Sequence, residues 1–506
     1  MSRKLNSRLG ADKKSDEKQI EGKRLKKPSY LLNYYIENSS IHGLRYVLDP
    51  QFYTIERFVW FLFFVTSIVA TTYAACIVTA QFQDAPTVTV IESTSYKVSS
   101  IPFPAVTICP RDRVDWKKAM EAERDFVPSN NTNSIQLFRK LLTTLSSMAF
   151  ARFYEVNFLL NASLMELGDI NVTNLLFKVV PSCKDILSAC WWRYDDKECC
   201  EIFELQKTEY GFCYSFNSAT SEKLRTVTKG IEITSGYGDR SGLKFTLHLG
   251  KTTSPPTRDI IRGGTLLINH PEVWPSTGQA IAAGMSLSVN LRCTSGYATK
   301  EVLNLRPEKI PCRYGTNKKI YNQETCISDC RRMHVNKHCT CNPSYYFQTS
   351  QTRECNVKDF ICLIKHNEIF TNYQIPGDIQ QIEDEEPIMF CNCPPSCDFY
   401  NYMTNILAIP IDEKNDIMLD IHYEGPTSIR YKMEVVLTSL NLLVAFGGIF
   451  GLFLGGSILS IVEFVYTCLV GVCGRCYQHF RKKRPSSKDL PRVTLRMYTT
   501  DFPPTQ

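Results

Sequence analysis

"GGIFGLFLGGSILSIVE" (Gly447 to Glu463) lies inside a 40-residue run, 435–474, whose single charged residue is Glu463. As one helix this run would be about 60 Å long, twice the roughly 30 Å of a hydrocarbon core. It must break, tilt or protrude. Glycine lets backbone leave helical geometry at least cost, and Gly455, Gly456 and Ser457 divide the run into 20 residues before and 17 after. Non-helical backbone at membrane depth persists only where it is buried in protein or lines an aqueous cavity, so a break here points to a pore. Gly447, Gly451 and Gly455 recur every fourth residue along one helix face, which also fits a small-residue packing seam that needs no pore. Glu463 shifts the balance, because an ionisable group within a span faces a bundle interior or water. One such acid per chain becomes a cation-attracting ring when several chains surround an axis.

A second apolar run, "FVWFLFFVTSIVATTYAACIV" (Phe58 to Val78), crosses 21 residues without a charge, just enough to span. The first 29 residues are rich in Lys and Arg and contain no apolar stretch, so the run reads as a signal anchor and not as a cleaved leader. Lys23, Arg24, Lys26 and Lys27 precede it, and Arg475 and "RKKR" (Arg481 to Arg484) follow the later run. Basic flanks of this kind place both termini in the cytoplasm. The net charge of +7 sits in the tails, where it favours contact with anionic lipid; no basic domain is left for nucleic acid. The resulting division is a tail, 1–57; a first transmembrane helix, 58–79; an extracellular α+β domain, 80–434; a second transmembrane helix with the pore, 435–474; and a tail, 475–506.

Seventeen of the 21 cysteines fall between Cys109 and Cys397. Dense cysteine with glycosylation acceptors at Asn130, Asn161 and Asn171 fits an oxidising exterior. Within the exterior, "TVTKGIEITSGYGDRSGLKFTLHLG" (Thr226 to Gly250) reads as two strands around a Gly-rich turn. "IQLFRKLLTTLSSMAF" (Ile135 to Phe150) has helical spacing. The pairs Cys339/Cys341 and Cys391/Cys393, with His338 beside the first, admit a zinc reading. Exported thiols oxidise, so a disulfide ladder bracing two antiparallel segments is the reading taken, and no metal or other cofactor is expected. Spacing alone leaves the pairing open. No nucleophile elbow, phosphate loop or metal motif marks an enzyme.

"HG" (His42, Gly43), "FPAVTICP" (Phe103 to Pro110), "GFCYSFN" (Gly211 to Asn217), the cysteine ladder and "FGGIFGLFLGGSILSIVEF" (Phe446 to Phe464) together resemble the degenerin/epithelial sodium channel family, most closely its arthropod pickpocket-like branch. The resemblance implies a homo- or heterotrimer of related subunits in the plasma membrane. It also implies a sodium-preferring, amiloride-sensitive pore gated through the exterior by a chemical ligand or a mechanical stimulus. The G-x-S filter falls on Gly455, Gly456 and Ser457; Val444, Ala445, Gly447, Gly448, Gly451 and Glu463 fall on the pore and gate, with Na+ as permeant ion. His42 and Gly43 take the role of a gating segment. The implied disulfides are Cys109 with Cys213, Cys183 with Cys190, Cys312 with Cys397, Cys326 with Cys393, Cys330 with Cys391, Cys339 with Cys362, and Cys341 with Cys355. Cys199, Cys200 and Cys293 are left without partners. Cys468, Cys473 and Cys476 are candidate palmitoylation sites.

Three departures bear on gating. The small residue whose enlargement holds degenerins open aligns with Val444, already bulky; either Ala445 takes that role or this gate has a different resting balance. Acid-sensing relatives carry an Asp where Ala445 stands and a Trp shortly before the cysteine matching Cys312, where "RPEKIPC" has none; proton gating is not supported. The acidic run Glu383 to Glu386 reads as a solvated face. The alternative function is a non-conducting cell-surface receptor or auxiliary subunit, which would keep the cysteine ladder without a permeable filter.

Overall fold

The apolar run beginning at Phe58 forms one continuous helix. The structure is a computed structural model that describes residues 35, 39–49, 51–84, 87–127, 131–164, 167–221, 230–249, 262–315, 321–347, 352–374, 388–436 and 438–469. It divides into two units, one of residues 87–435 and one of residues 1–86 with 436–506. The principal helices are α1 (Leu44–Leu48), α2 (Thr54–Asp84), α3 (Trp116–Phe126), α4 (Thr132–Leu145), α5 (Val172–Val179), α6 (Gln323–Cys339), α7 (Phe360–Lys365), α8 (Ser439–Leu454) and α9 (Ile458–Leu469).

Helix α2 is apolar on all sides and, at 31 residues, about 46 Å long. Its hydroxyls do not break that character. Thr71, Thr72 and Thr79 donate to the carbonyls of Ser67, Ile68 and Ala75 at 2.7, 2.9 and 2.8 Å, so each polar group is satisfied inside the helix. Helices α8 and α9 meet at a 75° bend.

The unit of residues 87–435 is built on two large sheets. Its strands are β1 (Thr87–Lys97), β2 (Ala105–Pro110), β3 (Leu187–Trp192), β4 (Asp195–Lys197), β5 (Phe203–Thr208), β6 (Gly211–Phe216), β7 (Leu243–His248), β8 (Gly263–Asn269), β9 (Gln279–Ala282), β10 (Met285–Ala298), β11 (Tyr373–Gln374), β12 (Met389–Phe390), β13 (Phe399–Pro410), β14 (Asp416–Tyr423) and β15 (Thr427–Val435). The larger sheet runs β1-β15-β10-β14-β7-β3-β4, with β13 antiparallel to β10. Strands β14 and β15 share the other edge of β10 in tandem, both parallel to it. The smaller sheet runs β5-β6-β2-β8-β9. Every residue of β2 and β6 is buried, which their nearly unbroken apolar runs demand. Thr107 and Ser215, opposite each other in the register, satisfy one another at 2.6 Å between hydroxyls.

A second core lies among the helices. Phe138, Leu141, Leu142 and Leu145 form the buried stripe of α4, at the spacing that one helix face requires. This helix starts earlier and ends earlier than the sequence spacing predicts. Asn131 caps it by accepting from Asn133 N–H at 3.1 Å, and residues 146–150 are turns and irregular chain.

The Thr226–Gly250 expectation is corrected as well. Among its described residues a single strand, β7, forms, and it pairs with β14 and β3. The earlier half is drawn elsewhere: Glu232 O accepts from Phe103 N–H at 2.9 Å, and Gly238 N–H donates to Tyr423 O at 2.8 Å.

Eight disulfides brace this unit. Cys109 pairs with Cys213, and the five nested pairs from Cys312–Cys397 to Cys341–Cys355 are those the resemblance implies. Geometry explains the central rungs. Cys326 and Cys330 are one turn apart on α6, about 6 Å along the axis, and two residues of open chain from Cys391 to Cys393 reach at most about 7 Å. The Cys183–Cys190 pairing is overturned: Cys183 binds Cys200 and Cys190 binds Cys199. The β3–β4 hairpin sets Cys190 opposite Lys197, so the chain brings Cys199 back beside Cys190, with Cα atoms 5.2 Å apart, and the next residue beside Cys183.

Candidate functional site

The bend between α8 and α9 is built by three consecutive small residues. Thr438 caps the start of α8, its hydroxyl accepting from Asn441 N–H at 3.2 Å. At the other end Gly455 adopts φ +63°, a left-handed conformation that glycine takes without a Cβ penalty. Gly455 N–H then donates to Gly451 O at 3.1 Å, and Gly456 N–H to Phe450 O at 3.2 Å. Ser457 opens the next helix through a reciprocal cap: Ser460 N–H donates to Ser457 Oγ at 3.2 Å, and Ser457 N–H to Ser460 Oγ at 3.0 Å. The break is thus a helix stop followed at once by a helix start, with the N–H groups of Gly455, Gly456 and Ser457 all bonded.

His42 and Gly43 meet this break. His42 N–H donates to Leu454 O at 2.9 Å, satisfying a terminal carbonyl of α8 that has no partner within the helix. Its ring packs over Gly455, where a Cβ would lie 2.6 Å from ring atoms. Gly43 has φ +82° and caps α1, turning the chain after His42. Ser40 adds a contact absent from the sequence reading: its Oγ lies 2.6 Å from Ser460 Oγ and donates to Glu463 Oε2 at 3.2 Å. The available signal was the Ser457-x-x-Ser460 spacing, a weak variant of the capping pattern.

Val444, Ala445, Gly447, Gly448 and Gly451 all lie on α8. A Cβ on Gly447 or Gly448 would meet no atom within 4 Å, and one on Gly451 would meet only Gly456 O at 3.8 Å. Among the described residues these glycines therefore pack against nothing that requires their smallness.

The remaining candidates lie in the other unit or outside the description. Asn161 is exposed at the end of a 3-10 helix. Asn171 is the N-cap of α5, accepting from Asn174 N–H at 2.9 Å, and its sequon Thr173 is buried against Ser344. Asn130, the Glu383 to Glu386 run, Cys473 and Cys476 fall outside the described residues. The zinc reading of the CxC pairs loses its ligands, because all four sulfurs are in disulfides. Cys293 is a free, buried thiol on β10, pushed up to about 12 by burial and held as an inert core residue.

A profile of the amiloride-sensitive sodium channel family matches residues 35–467, from before His42 to beyond Glu463. The chain belongs to the amiloride-sensitive sodium channel family. It is similar to Pickpocket protein 19 of Drosophila melanogaster, at 25% identity over 85% of this chain and 88% of that protein. Sodium channel protein Nach of Drosophila ananassae is 26% identical over 86% of this chain and 85% of its own. Acid-sensing ion channel 1C of Danio rerio is 22% identical over 96% and 92%. That family is one of membrane ion channels and not of enzymes.

Proposed function

We propose that this chain is a pore-forming subunit of a trimeric, sodium-permeable and amiloride-sensitive channel of the plasma membrane. Residues 80–434 are extracellular, both tails are cytoplasmic, and α8 with α9 forms the second span. Gly455, Gly456 and Ser457 constrict the ion path, and Glu463 raises the cation concentration beside it. The observation that carries this reading is the 75° break at those three residues, whose N–H groups are bonded locally and beside which His42 N–H holds Leu454 O. Such a break at membrane depth is stable where it borders water. The open space beside Gly447 and Gly448 supports close approach of a second copy. Opening is driven from the extracellular domain, by a ligand or by force.

The test is current recorded from cells expressing the chain alone or with a related subunit, with K+ substituted for Na+ and amiloride added. Ser457→Cys should change the Na+/K+ ratio or the block. Surface-expressed Ser457→Cys with unaltered selectivity and block would refute the filter assignment.

A further inference from the structure

Arg111, Arg113, Arg152 and Arg262 line one cavity of about 850 Å3 in the unit of residues 87–435. They converge from the end of β2, the start of the 3-10 helix after α4, and the start of β8. Glu155 is the single carboxylate on the lining, against these four guanidinium groups.

Of the four arginines Arg113 alone is drawn out of solvent; Arg111, Arg152 and Arg262 are exposed. Elsewhere in the same unit, Arg331 donates to Glu209 at 2.7 Å, and Ser328 and Tyr346 complete that carboxylate's bonds. The carboxylates that act on Arg113 are Asp112, its neighbour in the chain, and Glu155 on the lining. Arg113 is largely buried and fixed by two carbonyls: Nη2 donates to Met148 O at 2.7 Å and Nη1 to Pro110 O at 3.4 Å. Burial lowers its pKa to about 10, so it stays charged at neutral pH. Asp112 and Glu155 offset only part of the positive charge that the four guanidinium groups bring to the lining, and a bound anion offsets more of it. Arg152 and Arg262 are exposed, which gives the cavity a charged mouth, and Arg262 donates to Asn415 Oδ1.

We propose that this cavity binds a carboxylate-bearing organic acid, the carboxylate lying against the buried Arg113 and the acid entering past Arg152 and Arg262. A guanidinium fork matches a carboxylate through two parallel hydrogen bonds. The rest of the lining argues for a carbon skeleton over a bare inorganic ion: Tyr210 offers an aromatic wall, and Ala149, Ala280, Ile281 and Ala282 offer small apolar surface. The volume suits a small organic molecule. Glu155 opposes a multiply charged phosphate. Binding at this cavity does not depend on the pore reading.

The test uses the full chain in detergent, its thermal unfolding followed at constant ionic strength with succinate, citrate and benzoate. The neutral amides succinamide and benzamide, and inorganic phosphate, are run beside them. At least one acid should give a saturable stabilisation that its amide does not. Arg152→Gln and Arg262→Gln, both at exposed positions that folding tolerates, should each weaken that half-saturation by roughly tenfold, the value of one charge-assisted contact. Three results would overturn the proposal: no saturable shift with any acid, saturation by phosphate alone, or half-saturation unchanged in both variants.

Discussion

The His42 ring occupies the place where a Cβ on Gly455 would sit, three of its atoms lying 2.6 Å from that position. Gly455 is also left-handed, which costs a residue with a Cβ about 1–2 kcal/mol. Gly455→Ala therefore meets two penalties, one of conformation and one of contact. Its current should fall sharply at unchanged surface expression. His42→Ala added to it removes the contact but not the strain, so the double variant should recover part of the current. A double variant no better than Gly455→Ala would show that the two residues do not press on one another.

The corrected disulfides are open to direct chemistry. Cleavage after Arg193 and Lys197 under non-reducing conditions separates the two connectivities. Peptides joined through Cys190–Cys199 and Cys183–Cys200 are expected. A peptide holding Cys183 and Cys190 joined to each other would restore the other arrangement.

His270 supplies a pH dependence with a definite sign. It is buried, stacks on Tyr400 at 5.0 Å, and its Nδ1 accepts from Glu272 N–H at 3.3 Å. Burial lowers its pKa from 6.5 to about 4. Above pH 6.5 the imidazole is neutral in both states and its contribution is complete. Between pH 6.5 and 4 the unfolded chain gains a proton that the folded chain refuses, so stability is lost by up to about 3 kcal/mol. His270→Gln should flatten the fall in melting temperature over that interval, and an unchanged slope would assign the acid sensitivity to other groups.

Glu463 accepts from Ser40 at 3.2 Å, and the pore reading gives it an electrostatic task. Glu463→Gln should lower single-channel conductance at low Na+, with the deficit shrinking as salt rises and the screening length falls to about 10 Å near 0.1 M. A deficit independent of ionic strength would point instead to altered packing of α9.

The break in the second apolar run was legible because length alone forbids 40 residues of straight helix in a bilayer, and glycine marks where the chain yields. The α6 rungs were legible from the family pattern, and helical geometry accounts for them. The Cys183 pairing was not legible. It depends on a hairpin turned by Arg193 and Tyr194, both at positive φ, residue types that no turn pattern singles out. The strand expected near Ile231 failed for a related reason: its alternation is real, but its backbone partners lie more than 100 residues away near Phe103. The arginine cavity was invisible for the same cause, since Arg111 and Arg262 are brought together by sheet topology and not by any local spacing.

Thr87 and Val435 are opposite one another at the open end of the β1–β15 ladder. These are the two points at which the chain enters and leaves that unit. A force drawing them apart would not shear the ladder, with all its hydrogen bonds sharing the load. It would peel the ladder open from the end, one bonded pair after another, so that a small separation is absorbed at Thr87 and Val435 before Lys97 and Thr427 feel it.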